Sequence, residues 1–127
     1  MSAIFESRDI AASIAEKLRV FAQPQRLMIL SCLLRGERTV SEIGTVTGIT
    51  QPALSQQLAA LRRAELVSTR KDAKQVWYAL ADDSVITCVS TMELIFCGNP
   101  PLPVGQQPIL PEAALAPSGV AAFARLV

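Results

Sequence analysis

A mainly α-helical fold carrying one two-stranded β hairpin is predicted by three features of this 127-residue chain. Apolar residues recur every three or four positions in segments that glycine and proline punctuate, which is the period of an amphipathic helix. The segment from Leu66 to Ala81 instead has the β-branched and aromatic content of two strands around a polar loop. The stretch from Thr39 to Arg63 reads as two short helices either side of a tight turn at Gly48, the layout of a helix-turn-helix. Half of the residues are hydrophobic, enough for one domain with a core and, at this length, too few for two ordinary ones.

Ile10, Ile14, Leu18 and Phe21 predict a first helix from about Arg8 to Phe21, with Glu16, Lys17 and Arg19 off the stripe. Pro24 opens a second, in which Leu27, Leu30 and Leu34 line one face and Met28, Cys32 and Leu33 widen it, until Gly36 ends it. So much apolar surface implies a buried central helix. Thr39 and Glu42 form a capping box at the start of the third helix, which Gly48 closes. Thr50 is placed to cap the fourth, with Pro52 in its first turn, where a missing N–H costs nothing. Leu54, Leu58 and Leu61 give that helix one apolar face. Its other face near the N-terminus carries Gln51, Ser55, Gln56 and Gln57, neutral donor-acceptor groups of the kind that read base edges in a major groove.

Leu66 to Arg70 and Gln75 to Ala81 read as strands about Lys71 to Lys74. Without an Asn-Gly pair, the turn between them is expected to be longer than the tightest kind. Asp82 caps a last helix in which Val85, Val89, Met92 and Phe96 recur at helical spacing, with Ile86 and Ile95 beside them. This surface is broader than one stripe. It most simply packs on its own copy in a second chain, the first helix alongside, so Ile10, Ile14, Val85, Val89, Met92 and Phe96 are the candidate dimer contacts. Burial within one chain is the alternative.

From Gly98 the composition changes, and residues 98–127 hold six of the eight prolines. That stretch cannot be one long helix. Leu102, Ile109, Leu110, Leu115, Val120 and Phe123 are nevertheless more apolar than a free tail needs, so a partly docked or disordered tail is expected. Residues 1–97 then form the DNA-binding and dimerisation domain and residues 98–127 the tail.

A net charge of +1 hides an uneven distribution, because residues 51 to 78 hold Arg62, Arg63, Arg70, Lys71 and Lys74 against Glu65 and Asp72, locally +3. Bulk charge would not draw nucleic acid; a placed patch doubled by a dimer would. The candidate DNA contacts are Thr50, Gln51, Pro52, Ser55, Gln56 and Gln57 for base edges and the turn, with Arg62, Arg70, Lys71 and Lys74 for phosphates. A merely solvated face is the bland reading. No run of about 18 uncharged apolar residues exists, and the opening MSAIFESRD lacks the basic-then-apolar order of a secretory signal, so a cytoplasmic protein with no membrane partner is expected.

The order helix, helix, helix-turn-helix, hairpin, helix, together with the runs QRLMILSCL and TQPALSQQLAALRRAELVSTRKDAKQVWYAL and the closing IFC, resembles the ArsR/SmtB family of winged-helix repressors. The resemblance covers about Ala12 to Cys97. It implies a winged helix-turn-helix homodimer that sits on double-stranded operator DNA at an inverted repeat and leaves when an inducer, often a metal ion, binds. The family's thiolate site lies at the start of the helix that here begins Val40-Ser41-Glu42, and no cysteine stands there. Its histidine-carboxylate site has no counterpart in a chain without histidine. No metal or cofactor is therefore expected, although three thiolates taking a soft ion such as arsenite or Cu(I) remain an alternative.

The nearest match is the branch of that family that senses persulfides or oxidants. It places one cysteine in the second helix and one at the end of the last, the latter matching Cys97. In the second helix the branch cysteine stands five residues after the arginine that matches Arg26, and that position is Ser31. Cys32 lies one step further, turned by about 100°. The resemblance implies a thiol switch of Cys32 and Cys97 with reactive sulfur or an oxidant as inducer. It leaves open a cross-linked pair, a lone reactive Cys97, or no switch. Cys88 reads as a small buried hydrophobe, Cys32 equally well as a packing residue, and Arg19 or Arg26 as the cation that would activate Cys97. An enzyme is not expected: a Cys-His nucleophile needs a histidine, and no glycine-rich phosphate loop is present. The competing class is a small-molecule carrier, or a winged helix that binds only protein.

Overall fold

Caps and chain breakers set most of the helix ends where the spacing places them. In the computed structural model, which describes residues 3–98, a 3₁₀ turn at Ile4–Glu6 leads into α1 (Arg8–Phe21), whose first turn is held by Ser7 Oγ accepting the Ile10 N–H at 3.2 Å. Pro24 occupies the first turn of α2 (Pro24–Leu34), and the Gln23 side chain accepts the Arg26 N–H at 2.8 Å. The proline-rich stretch from residue 99, with its expected docking, lies outside the described residues. The described chain falls into two units, one ending at Ala81 and one beginning at Asp82.

In the first unit α2 buries Ile29, Leu30, Cys32 and Leu33, Ile29 and Leu30 fully, together with Ile43 and Leu61. Leu27 and Met28, expected within its buried surface, are 39% and 46% exposed, because the buried face runs through Ile29 and Leu33 instead. The capping box forms at the start of α3 (Val40–Thr47), where Thr39 Oγ1 accepts the Glu42 N–H at 3.3 Å and Glu42 Oε1 accepts the Thr39 N–H at 2.9 Å. Gly48 ends the helix at φ 75°, a left-handed conformation that glycine adopts without strain. Gly44 matters for space instead. A Cβ there would stand 3.2 Å from Leu54 Cδ2, so its absence lets α3 approach the buried face of α4 (Ala53–Arg63). Thr50 does not cap α4. The helix begins only at Ala53, after a turn at Gln51 and Pro52, and Gln51 Oε1 accepts the Ser55 N–H at 3.2 Å in its place.

The hairpin of β2 (Val67–Asp72) and β3 (Gln75–Leu80) is antiparallel, with Arg70 opposite Trp77 and Asp72 opposite Gln75. Its turn is tighter than expected, only Ala73 and Lys74, because Ala73 accepts φ 58° without being glycine or asparagine. A third strand, β1 (Arg38–Thr39), pairs with the free edge of β3, Arg38 opposite Tyr78 and Thr39 opposite Trp77. The sheet order is β1-β3-β2, so the two-stranded wing carries one short extra strand.

The second unit contains α5 (Asp83–Cys97), capped by Asp82 Oδ1 on the Val85 N–H at 3.1 Å and closed by Gly98 at φ 73°. Val85 and Val89 are closed off within the single chain at 7% and 3% exposure, whereas Met92 is half-buried and Phe96 is 55% exposed. On α1, Ile10 and Leu18 are 39% and 57% exposed and Ile14 is half-buried. No helix among the described residues is long and apolar enough to cross a membrane.

Candidate nucleic-acid interface

Burial of Leu54, Leu58 and Leu61 fixes the rotation of α4 and turns Ser55, Gln56 and Arg62 to the surface. Gln51 and Ser55 hold each other: the serine hydroxyl donates to Gln51 Oε1 at 2.6 Å while its own N–H donates to the same oxygen. Gln56 is exposed and makes no side-chain hydrogen bond among the described residues. Thr50 and Pro52 are exposed at the turn that leads into the helix. Gln57 behaves differently from its neighbours. It flanks the apolar stripe on the side of α2, where Arg26 Nε donates to its Oε1 at 2.8 Å and its own Nε2 donates to Gln25 Oε1 at 3.4 Å. A half-buried glutamine spent on two partners inside the unit is an anchor between helices, which corrects its placement among the outward groups.

Along the same exposed side, Ser55 and Arg62 line an open groove of about 490 Å³ with Arg63 and Tyr78, floored by Val40, Leu58 and Ala59. Arg63, counted in the basic stretch, and Tyr78 are not among the candidate contacts. Helical spacing from Ser55 through Ala59 to Arg62 and Arg63 could have singled out the arginine, whereas Tyr78 reaches the groove only because β3 runs beside it.

At the wing, Lys71 and Lys74 are exposed near the tip. Arg70 is not presented in the same way. Its Nε donates to Glu37 Oε2 at 2.9 Å and Nη2 to Glu37 Oε1 at 2.6 Å, a bidentate pair, while Nη1 lies 3.5 Å from Asp72 Oδ2. Its guanidinium also sits 5.3 Å from the centroid of Trp77, across the hairpin. The hydrogen bonds from Arg70 hold the Glu37 carboxyl below the ordinary carboxylate range and raise Arg70 in turn. The sequence count of local charge missed Glu37, because it lies 33 residues from its partner.

The three cysteines occupy different surroundings. Cys32 is buried, and burial pushes its thiol up from the ordinary value, opposed by the charges of Arg38 and Arg35 and a hydrogen bond from the Arg38 side chain. Arg38 Nε is itself buried and finds no acceptor among the described residues. The cations beside Cys32 are Arg38 and Arg35; of the two arginines expected to activate Cys97, Arg26 serves Gln57 and Arg19 pairs with Glu16 at 3.3 Å on the surface. Ser31, the position that the branch pattern gives to cysteine, is half-buried and accepts from Arg35 Nη1 at 3.1 Å through its hydroxyl. Cys88 is exposed, contrary to its reading as a buried hydrophobe, because the buried face of α5 runs through Val85 and Val89 one step away. Cys97 is exposed at the helix end. Among the described residues no group of three or more histidine, cysteine or acidic side chains is placed to hold a metal ion.

The profile of the bacterial regulatory protein arsR family matches residues 23–69, from the start of α2 to the middle of β2. The biofilm growth-associated repressor of Agrobacterium fabrum is 42% identical over 87 residues, covering 68% of this chain and 74% of that protein. The crystal structure of the transcriptional repressor BigR from Xylella fastidiosa superposes with a TM-score of 0.68 at 35% identity, over 76% of this chain and 98% of that one. The homodimeric winged helix-turn-helix DNA-binding domain of a possible ArsR-family regulator from Mycobacterium bovis superposes with a TM-score of 0.62 at 27% identity, over 75% of this chain and 86% of that one. Matched in sequence through the helix-turn-helix and in shape through the wing, the chain belongs to the arsR family of bacterial regulatory proteins, with the family's winged helix-turn-helix fold.

Proposed function

We propose that this protein is a homodimeric, sequence-specific repressor that binds an inverted repeat in double-stranded operator DNA and is released by modification of its thiols. The carrying observation is α4: its apolar face is locked into the core, and an unengaged Gln56 stands on the opposite side beside the Gln51-Ser55 pair. Neutral groups at the start of such a helix read base edges, and Arg62, Lys71 and Lys74 around them take phosphates. Two relatives are named as repressors, and a third is a homodimeric DNA-binding domain, which supports the same reading here.

The inducer reading rests on the cysteines. Exposed Cys97 is the entry point, and buried Cys32, its thiol pushed up by burial against the opposing charges of Arg38 and Arg35, is the slower, resolving thiol. The Cys97 thiolate attacks the outer sulfur of an organic persulfide and expels the organic thiolate. The Cys32 thiolate then attacks the inner sulfur of the Cys97 persulfide, forming a disulfide and releasing hydrosulfide. A soft metal ion as inducer finds no ligand cluster among the described residues to favour it.

Gel shifts on the DNA flanking the gene test the function. The parent is expected to shift that DNA in preference to random duplex. Gln56→Ala is expected to lose about 1 to 3 kcal/mol on the operator and little on random sequence. Lys74→Ala is expected to weaken both alike and to flatten the salt dependence. Equal losses on both duplexes for Gln56→Ala would reject its reading role. No shift of any DNA would favour the competing class, a winged helix that binds protein or a small molecule.

A further inference from the structure

Arg70, a candidate phosphate contact on the wing, already has two carboxylates around it. Glu37, just before β1, grips the Nε–Nη2 edge of the guanidinium, and Asp72, on the same face of β2, lies 3.5 Å from the third nitrogen. Counted with these neighbours, that face of the wing carries −1 rather than +1. Trp77, opposite Arg70 in the hairpin, backs the guanidinium and holds it over the sheet.

The pair is exposed, with side-chain exposures of 50% for Arg70 and 38% for Glu37. Surface ion pairs contribute little to stability, so this one is a poor candidate for holding the fold together. An exposed pair of this geometry is, however, a competitor. A guanidinium binds carboxylate and phosphate with the same two-pronged geometry, so a DNA phosphate reaching Arg70 must displace Glu37 and approach its negative charge.

We infer that Glu37 is a specificity-determining residue, which masks Arg70 from DNA phosphates and so withholds one sequence-independent contact per wing. The inference rests on the DNA-binding reading. Non-specific affinity is carried by phosphate contacts, and a regulator must keep it low against the many competing sites of a genome. A masked wing arginine lowers binding to every sequence, leaving discrimination to α4.

The test is titration of a labelled random-sequence duplex by the full chain at several salt concentrations. Glu37→Gln keeps the size and hydrogen-bonding ability of the side chain and removes its charge. It is expected to bind roughly tenfold tighter at about 50 mM salt, with a salt slope steeper by about 0.9 for each wing that gains a phosphate. Adding Arg70→Ala to Glu37→Gln should abolish both the gain and the extra slope, because the gain acts through the freed guanidinium. Weaker binding by Glu37→Gln would overturn the inference and make Glu37 a residue that positions Arg70 for DNA. A gain that survives Arg70→Ala would also overturn it, since Glu37 would then act only through its distant field. If the parent and Glu37→Gln both fail to bind duplex at low salt, the DNA-binding reading fails and this inference falls with it; a parent that binds leaves the outcome to Glu37 alone.

Discussion

At the scale of single residues, one step along α2 decides the chemistry of the thiol. Ser31 sits on the half-buried side, held by Arg35, while Cys32 turns inward toward Arg38. The folded protein holds the Cys32 proton more tightly than the unfolded chain does. That contribution to stability is full below the ordinary thiol range and fades as pH rises through the raised folded value. Iodoacetamide at neutral pH is therefore expected to label Cys97 and Cys88 well before Cys32, with Cys32 catching up above the ordinary thiol range. Mass spectrometry of timed samples checks the order, and prompt labelling of Cys32 near pH 7 would contradict it. Much of this scale was hidden from the sequence. Helical period finds which glutamines flank a stripe, but it does not say that Gln57 meets Arg26 from another helix. Nor does a local count of charge find Glu37 beside Arg70. Both depend on contacts between residues more than 30 apart in the chain.

At the scale of elements the sequence was far more legible, because caps and breakers act locally. The ends of α1, the start of α2, the capping box of α3 and both ends of α5 stand where Arg8, Pro24, Thr39, Asp82 and Gly98 place them. The misses have local reasons too. Strand β1 is two residues long, too short to show alternation, and exists because β3 offers it an edge. The hairpin turn puts alanine at a positive φ, against the residue preference of such turns. The glycines of the helix-turn-helix separate two physical demands. Gly48→Ala meets open space but a left-handed backbone, and is expected to lower stability by about 1 kcal/mol. Gly44→Ala has an ordinary helical backbone and gains about 1 kcal/mol of helix propensity, but its methyl group presses on the buried Leu54 at 3.2 Å. Overpacking of about 1 to 3 kcal/mol should dominate, because Leu54 is hemmed into the core. Urea unfolding of both variants measures the sign, and a stabilised Gly44→Ala would show that α3 and α4 have room to part.

At the scale of the whole molecule, the question is how a thiol on one helix reaches a recognition helix on another. The first unit leaves Ile4, Phe5, Ile10 and Leu18 exposed, and α5 leaves Phe96 exposed. A second copy of the chain is the expected cover, by way of α1 and the end of α5. Val85 and Val89 are already buried in the single chain. In such a dimer the seam would set the spacing of the two α4 helices, and Cys97 ends α5, the helix expected to share in that seam. A covalent change at Cys97 that disfavours the DNA-competent spacing lowers affinity only by the difference in fit between the two states. A coupling of about 1 to 3 kcal/mol corresponds to binding weakened roughly 5- to 150-fold. Sedimentation should first find a stable dimer at micromolar concentration, and a stable monomer there would remove the seam from the argument. Given the dimer, Cys97→Ser is expected to bind operator like the parent but to stay bound in organic persulfide, while Cys88→Ser is released with the parent. Cys32→Ser separates the two forms of the switch: release without it means that modification of Cys97 alone suffices, and loss of release means that the cross-link is required. Release of Cys97→Ser as readily as the parent would rule out the thiol at the end of α5 as the point of entry.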